Sequence, residues 1–144
     1  MFHSRNPVYR NPTGAVKENT QVHFKITVPR DLVCSAARMV VINDGTGEHQ
    51  TLGMFWCGMN GDNFEWWECD FTPDSPGLYF YNFNIDTWRG NLTVNRDFGG
   101  HSRVGGGQSL WQLTVYEKTF QTPEWLAGGV MYQIFPEMCI RDRP

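Results

Sequence analysis

The segment Gln21-Val22-His23-Phe24-Lys25-Ile26-Thr27-Val28 decides the fold class, because apolar Val22, Phe24, Ile26 and Val28 alternate with polar Gln21, His23, Lys25 and Thr27. Successive side chains of an extended strand point to opposite faces, so this period marks a strand buried on one side. The same reading extends outward to Arg38–Ile42, His49–Cys57, Phe64–Phe71, Gly77–Ile85, Asn91–Val94 and Trp111–Tyr116. Turn-forming residues divide these runs at Asn43-Asp44-Gly45, from Gly58 to Asn63, and at Thr72-Pro73-Asp74-Ser75-Pro76-Gly77. About seven short strands with frequent turns and no long helical pattern predict an all-β, Ig-like sandwich of two sheets. It is expected to occupy residues 1–120.

Two of the strands carry most of the aromatic weight. In Phe64–Phe71, Trp67, Cys69 and Phe71 share one face, with Glu65 at its entrance, and Trp66, Glu68 and Asp70 share the other. In Gly77–Ile85, Tyr79, Tyr81, Phe83 and Ile85 oppose Leu78, Phe80, Asn82 and Asn84. The first set in each strand is expected in the core and the second outside it. Each buried aromatic removes about 150–250 Å² from water, so these strands should anchor the sandwich.

The totals exclude several classes of function. The chain has 144 residues, enough for one ordinary domain; 40% are hydrophobic, 15% aromatic and 19% charged, which is not the composition of a disordered segment. A net charge of −3 gives no basic footprint for nucleic acid. The opening Met-Phe-His-Ser-Arg-Asn-Pro has no charged-then-apolar leader, and no apolar run approaches the ~18 residues of a membrane span, so a cytoplasmic location is expected. Cys34, Cys57, Cys69 and Cys139 form no metal-binding spacing. Cys57 and Cys69 could face each other on neighbouring strands, but buried free thiols are the simpler expectation. The glycines between Phe98 and Ser109 precede no Gly-Lys-Ser/Thr and open no helix, so they read as a loop and not a phosphate cradle.

The character changes after Tyr116. Residues 121–129 carry proline, tryptophan and paired glycine, as a linker does, and Val130-Met131-Tyr132-Gln133-Ile134-Phe135 is then apolar almost without alternation. A strand buried on both faces has that pattern, and such strands belong to parallel sheets. Nothing else in the chain could build that sheet.

Three motifs now carry a family resemblance: Trp111-Gln112-Leu113-Thr114-Val115-Tyr116, Thr122-Pro123-Glu124-Trp125, and Gly129-Val130-Met131-Tyr132-Gln133-Ile134-Phe135-Pro136-Glu137. Together they resemble the domain junction of glycoside hydrolase family 13, in the subgroup of neopullulanases, cyclomaltodextrinases, maltogenic amylases and related α-amylases. His3-Ser4-Arg5 and Tyr9-Arg10-Asn11-Pro12-Thr13-Gly14-Ala15-Val16 are similar to the start of that subgroup's N-terminal domain. The resemblance implies an N-terminal, carbohydrate-binding-module-like sandwich, a linker, and residues 130–137 as the first strand of a truncated catalytic (β/α)8 barrel. Residues 138–144 depart from the family pattern and resemble a translated sequencing adapter, so Cys139 and its neighbours are given no functional weight.

The family hydrolyses α-glucosidic bonds in starch, maltodextrin, cyclodextrin or pullulan with retention. Its nucleophile and acid/base carboxyls stand ~5–5.5 Å apart at the C-terminal ends of barrel strands. The three catalytic acids have no counterparts here, so the fragment is expected to be non-catalytic. Glu137 reads as a structural barrel residue held by a neighbouring arginine. No cofactor is expected in the fragment; calcium would belong to the longer enzyme. Expected partners are the α-glucan substrate, the chain's own barrel and a second copy, since N-terminal domains in this subgroup help form dimers. The alternative is a standalone carbohydrate-binding or dimerisation module. Sugar stacks on exposed aromatic faces, and Trp66, on an outward face, and Trp88, in the Asp86–Gly90 turn, are the candidates. Packing against the barrel or a partner is the competing use of both rings, and outward Leu78 and Phe80 favour it.

Overall fold

A computed structural model describes residues 1–105, 109–126, 128–130 and 133. Among these residues ten strands run in chain order: β1 (Arg10–Asn11), β2 (Val16–Lys17), β3 (Val22–Pro29), β4 (Ala36–Asn43), β5 (His49–Asn60), β6 (Phe64–Phe71), β7 (Gly77–Thr87), β8 (Gly90–Arg96), β9 (Ser102–Val104) and β10 (Trp111–Tyr116). The helical elements among the described residues are two single 3-10 turns, Arg30–Leu32 and Glu124–Leu126. None is long and apolar enough to cross a membrane.

The strands form two layers joined along β5. The first half of β5 pairs with β4, from His49 opposite Ile42 to Met54 opposite Ala37. Its second half pairs with β6, from Phe55 opposite Glu68 to Asn60 opposite Phe64. One layer is therefore β1-β3-β6-β5 and the other β5-β4-β7-β10-β2. β7 divides its far edge, giving Gly77–Tyr81 to β10 and Phe83–Thr87 to β8, which in turn pairs with β9. All pairings are antiparallel except β2 beside β10.

The alternation read from the sequence is the alternation of the core. Val22, Phe24, Ile26 and Val28 are fully buried from one layer; Met39, Tyr81, Phe83, Ile85, Trp111 and Leu113 meet them from the other. Trp67 is half-buried at the margin, while Leu78 is exposed and Phe80 half-exposed on the outer face of β7. Tyr79, near the start of β7, donates its hydroxyl to the Ser75 carbonyl at 2.9 Å, closing the Thr72–Pro76 connection. This is the geometry of a tyrosine corner, which fixes where a strand enters a sandwich.

Several expectations are corrected. Cys57 neither faces Cys69 nor is buried: Trp56 stands opposite Trp67 and Gly58 opposite Trp66, so Cys57 is the extra residue of a β-bulge and is exposed. Cys69 is a buried free thiol, which burial pushes up to about 12. The stretch from Phe98 to Ser109 is more than a loop, since β9 pairs there with β8 and His101 bridges to His3. Thr27, on the polar side of its strand, is buried because Met1 covers it: Thr27 N–H and Oγ donate to the Met1 carbonyl at 2.9 and 3.4 Å. Neighbouring Phe2 is 2% exposed and packs on Phe83 and Trp111, both at 4.9 Å between ring centroids. β5 extends through Asn60 into the expected turn, and Tyr116 closes the last strand among the described residues. The expected barrel strand at 130–137 lies, apart from Val130 and Gln133, outside the described residues, as does 138–144.

Candidate functional site

Three connections meet at one end of the sandwich: residues 30–35 between β3 and β4, the β5–β6 hairpin, and the β7–β8 turn. The first is tied to both others. Arg30 N–H donates to the Asn63 carbonyl at 3.0 Å and its guanidinium to the Asp62 carbonyl at 3.4 Å. On the other side Ser35 N–H donates to the Asp86 carbonyl at 2.9 Å, and Trp88 N–H to Leu32 at 3.4 Å. Cys34 lies between the two: burial, then the negative charge of Glu65, then that of Asp86, push its thiol up to about 11, against one hydrogen bond to Ala36.

Trp88 is 62% exposed at the tip of the β7–β8 turn, yet its ring is held. The indole N–H donates to the Asp31 carbonyl at 3.0 Å, and the Arg89 guanidinium lies 4.6 Å from the ring centroid. The turn itself is braced by Thr87 Oγ donating to the Gly90 carbonyl at 2.8 Å, and by Asp86, which accepts from Asn91 at 2.6 Å and from Arg38 at 2.7 Å. The hydrogen bonds from Arg38 and Asn91 hold the Asp86 carboxyl below the usual carboxylate range.

A second exposed ring stands on the β5–β6 hairpin. Trp56 is 54% exposed, and its indole N–H donates to Glu65 at 3.1 Å. Glu65 accepts from Trp67 through its other oxygen at 3.3 Å, so one carboxylate orients both indoles. With both oxygens engaged this way, Glu65 acts as a positioning group. Nearby Pro29, Arg30, Asp31, Asn63 and Phe64 line an open recess of about 370 Å³.

Trp66 is elsewhere. It points outward from the first layer, opposite Thr27 and Gly58, with Tyr9 5.5 Å away on one contact and Lys25 4.8 Å from its centroid on another. Its ring is thus partly covered, and it shares no ring contact with Trp88. The two candidates read from the sequence share no ring contact; Trp56, which pattern reading did not single out, is a further exposed ring, on β5 opposite Trp67. Its signal was weak, because in an alternating strand Trp56 shares the inward parity of Trp67, and only the bulge after it and the end of β4 leave it uncovered. Among the described residues no group of three or more His, Cys, Asp or Glu side chains is placed to hold a metal ion.

No family model matches the chain. It is 33% identical over 153 residues to an amylopullulanase of Thermoanaerobacterium saccharolyticum, covering 93% of this chain and 11% of the relative. It is 35% identical over 137 residues to an amylopullulanase of Thermoanaerobacterium thermosulfurigenes, covering 90% of this chain and 7% of the relative. Among solved structures, a cyclomaltodextrinase matches with a TM-score of 0.60 at 18% identity, over 94% of this chain and 23% of that one. The chain therefore spans about a tenth of the amylopullulanases it matches. The likeness to amylopullulanases agrees with the resemblance of the terminal motifs, and the likeness to the cyclomaltodextrinase shows a shared fold.

Proposed function

We propose that this chain is the N-terminal accessory domain of an α-glucan-hydrolysing enzyme, that bond cleavage is performed by residues outside it, and that its Trp56 and Trp88 rings contact glucan. The observation that carries the first part is the match to amylopullulanases over nine-tenths of this chain but about a tenth of theirs. An enzyme whose catalytic machinery lay in so small a share would need its paired carboxyls here. Glu65, beside Trp56, is instead engaged by two indoles.

The glucan reading rests on how the rings are held. A solvent-exposed tryptophan ordinarily gives up rotamer freedom when a sugar stacks on it. Hydrogen bonds from Trp88 to Asp31 and from Trp56 to Glu65 restrain both rings by one edge, leaving the Trp56 faces and the Trp88 face away from Arg89 to the C–H surface of a glucose unit. Arg30, Asn63 and Arg89 supply donors for hydroxyls beside them. Trp66 is less suited, because it is only half-exposed and has Tyr9 as well as Lys25 against it.

Affinity electrophoresis of the chain through gels containing amylopectin or pullulan tests this. Retardation that Trp88→Ala abolishes, Trp56→Ala weakens and Trp66→Ala leaves intact is expected. Equal mobility with and without polysaccharide overturns glucan contact and leaves packing against another domain as the use of these rings. Release of reducing sugar from maltodextrin by the purified chain overturns the non-catalytic reading.

A further inference from the structure

A different recess, between the β1–β2 connection and β10, is unexplained by the function above. It measures about 390 Å³ and is lined by Ser4, Arg5, Arg10, Thr13, Gln112 and Thr114, with the backbone of Gly14 and Ala15 between them. Its lining includes two guanidinium groups and no carboxylate. Arg10 is 5% exposed. Its guanidinium donates to the Tyr81 hydroxyl at 3.4 Å, the Gln112 carbonyl at 3.3 Å and the Gly14 carbonyl at 3.0 Å, all neutral acceptors, while Nε has no partner. Among the described residues neither Arg10 nor Arg5 forms an ion pair. A cation removed from water without a counter-charge is costly, and proteins normally place an anion beside it.

We propose that this recess is a carboxylate-binding site. The charge to be balanced is the single buried one of Arg10, since exposed Arg5 is screened by solvent. The hydroxyls of Ser4 and Thr13 stand on the rim as further donors. A planar guanidinium carrying a single buried charge is matched by a planar, singly charged, two-oxygen group. Two sources present that group: an Asp or Glu side chain of a neighbouring protein surface, or a free organic acid.

The test is an NMR titration of the 15N-labelled 144-residue chain with sodium acetate, against sodium chloride at equal ionic strength. The reporters are the Arg10 Nε–H and the Gly14 and Gln112 amides. Saturating shifts in acetate and none in chloride are expected. Arg10→Met removes a buried hydrogen-bonded group and endangers the fold, so the informative variant is Arg5→Gln at the exposed rim. It is expected to weaken acetate roughly twofold to fivefold with the spectrum otherwise unchanged. Succinate binding within about twofold of acetate assigns the site to a side-chain carboxylate, and succinate binding roughly tenfold tighter assigns it to a free diacid; either supports the proposal. Identical, unsaturating shifts in acetate and chloride overturn it, as does sulfate binding as tightly as acetate.

Discussion

Removing the Phe2 ring by Phe2→Ala is expected to destabilise the sandwich severely, although the residue is second in the chain. Terminal residues usually contribute little unless tied down. Here the ring is 2% exposed and meets Phe83, Trp111, Tyr81, Tyr9 and Phe24 at centroid distances from 4.9 to 6.4 Å. Burying about 150–200 Å² of ring at roughly 25 cal/mol per Å² gives about 4–5 kcal/mol as an upper bound. Phe→Ala changes in packed cores cost about 3–5 kcal/mol, so the two routes agree. Against a total of about 5–15 kcal/mol for a domain, that is a large share. With a urea m-value of about 2 kcal/mol per M, the unfolding midpoint should fall by about 1.5–2.5 M, followed by tryptophan fluorescence. Phe120→Ala is the control, because that ring is 58% exposed and its ring contact is an edge contact with Tyr116 at 6.0 Å; its midpoint should move by less than about 0.25 M. A Phe2→Ala shift no larger than the control's refutes the reasoning, and with it the claim that the N-terminal segment is part of the core.

Asp86 should titrate below an ordinary aspartate when followed by carbon-detected NMR, and Arg38→Gln should raise it towards the model-peptide value of about 3.9. Because the folded value is depressed, the pairing with Arg38 is present above the ordinary aspartate range and lost as pH falls through the depressed value; unchanged titration in the variant removes that account. Among the described cysteines, peptide-mapped alkylation at pH 8 should modify exposed Cys57 first and Cys69 only after unfolding, since burial both covers Cys69 and pushes its thiol up to about 12. Gly58→Ala should lower stability by about 1–3 kcal/mol, because φ of +130° at the bulge strains any side chain; a variant melting like the parent would place no strain there.

The core was legible in the sequence wherever a strand has one wet and one dry face. Val22 to Val28 and Tyr79 to Ile85 declare their inner residues by parity alone, and both sets are buried. The short strands were not legible, because two residues at Arg10–Asn11 or Val16–Lys17 cannot establish a period. Nor was the burial of Thr27, which depends on Met1 lying over it from 26 positions away. The Cys57 error has the same origin. Parity counts forward from a known residue, and one inserted residue reverses every later prediction in the strand. Gly58 with its positive φ was the local hint, and a lone glycine inside a strand pattern is a signal for a bulge.

The candidate site was legible only in half, and the reason bears on which aromatic can meet a ligand. Pattern reading placed Trp66 outside and Trp88 in a turn, and both placements hold. Exposure of a residue does not mean exposure of a ring face, however. On the flat of the first layer, Trp66 has neighbours on adjacent strands, so Lys25 and Tyr9 fall against it as a consequence of sheet spacing. Beyond Met54 β4 no longer pairs with β5, and Trp88 stands in a turn, so Trp56 and Trp88 stay more than half exposed, with Arg89 against one face of Trp88. Rings so exposed also lose packing that would hold them still. The structure replaces that packing with hydrogen bonds at the indole nitrogen, from Trp88 to a backbone carbonyl and from Trp56 to a carboxylate shared with Trp67. Each bond ties down one edge of its ring and leaves the faces unoccupied by it. An arrangement that restrains an open aromatic without covering it suits a surface for flat, weakly apolar partners, and it arises here from where β4 and β5 part company after Met54.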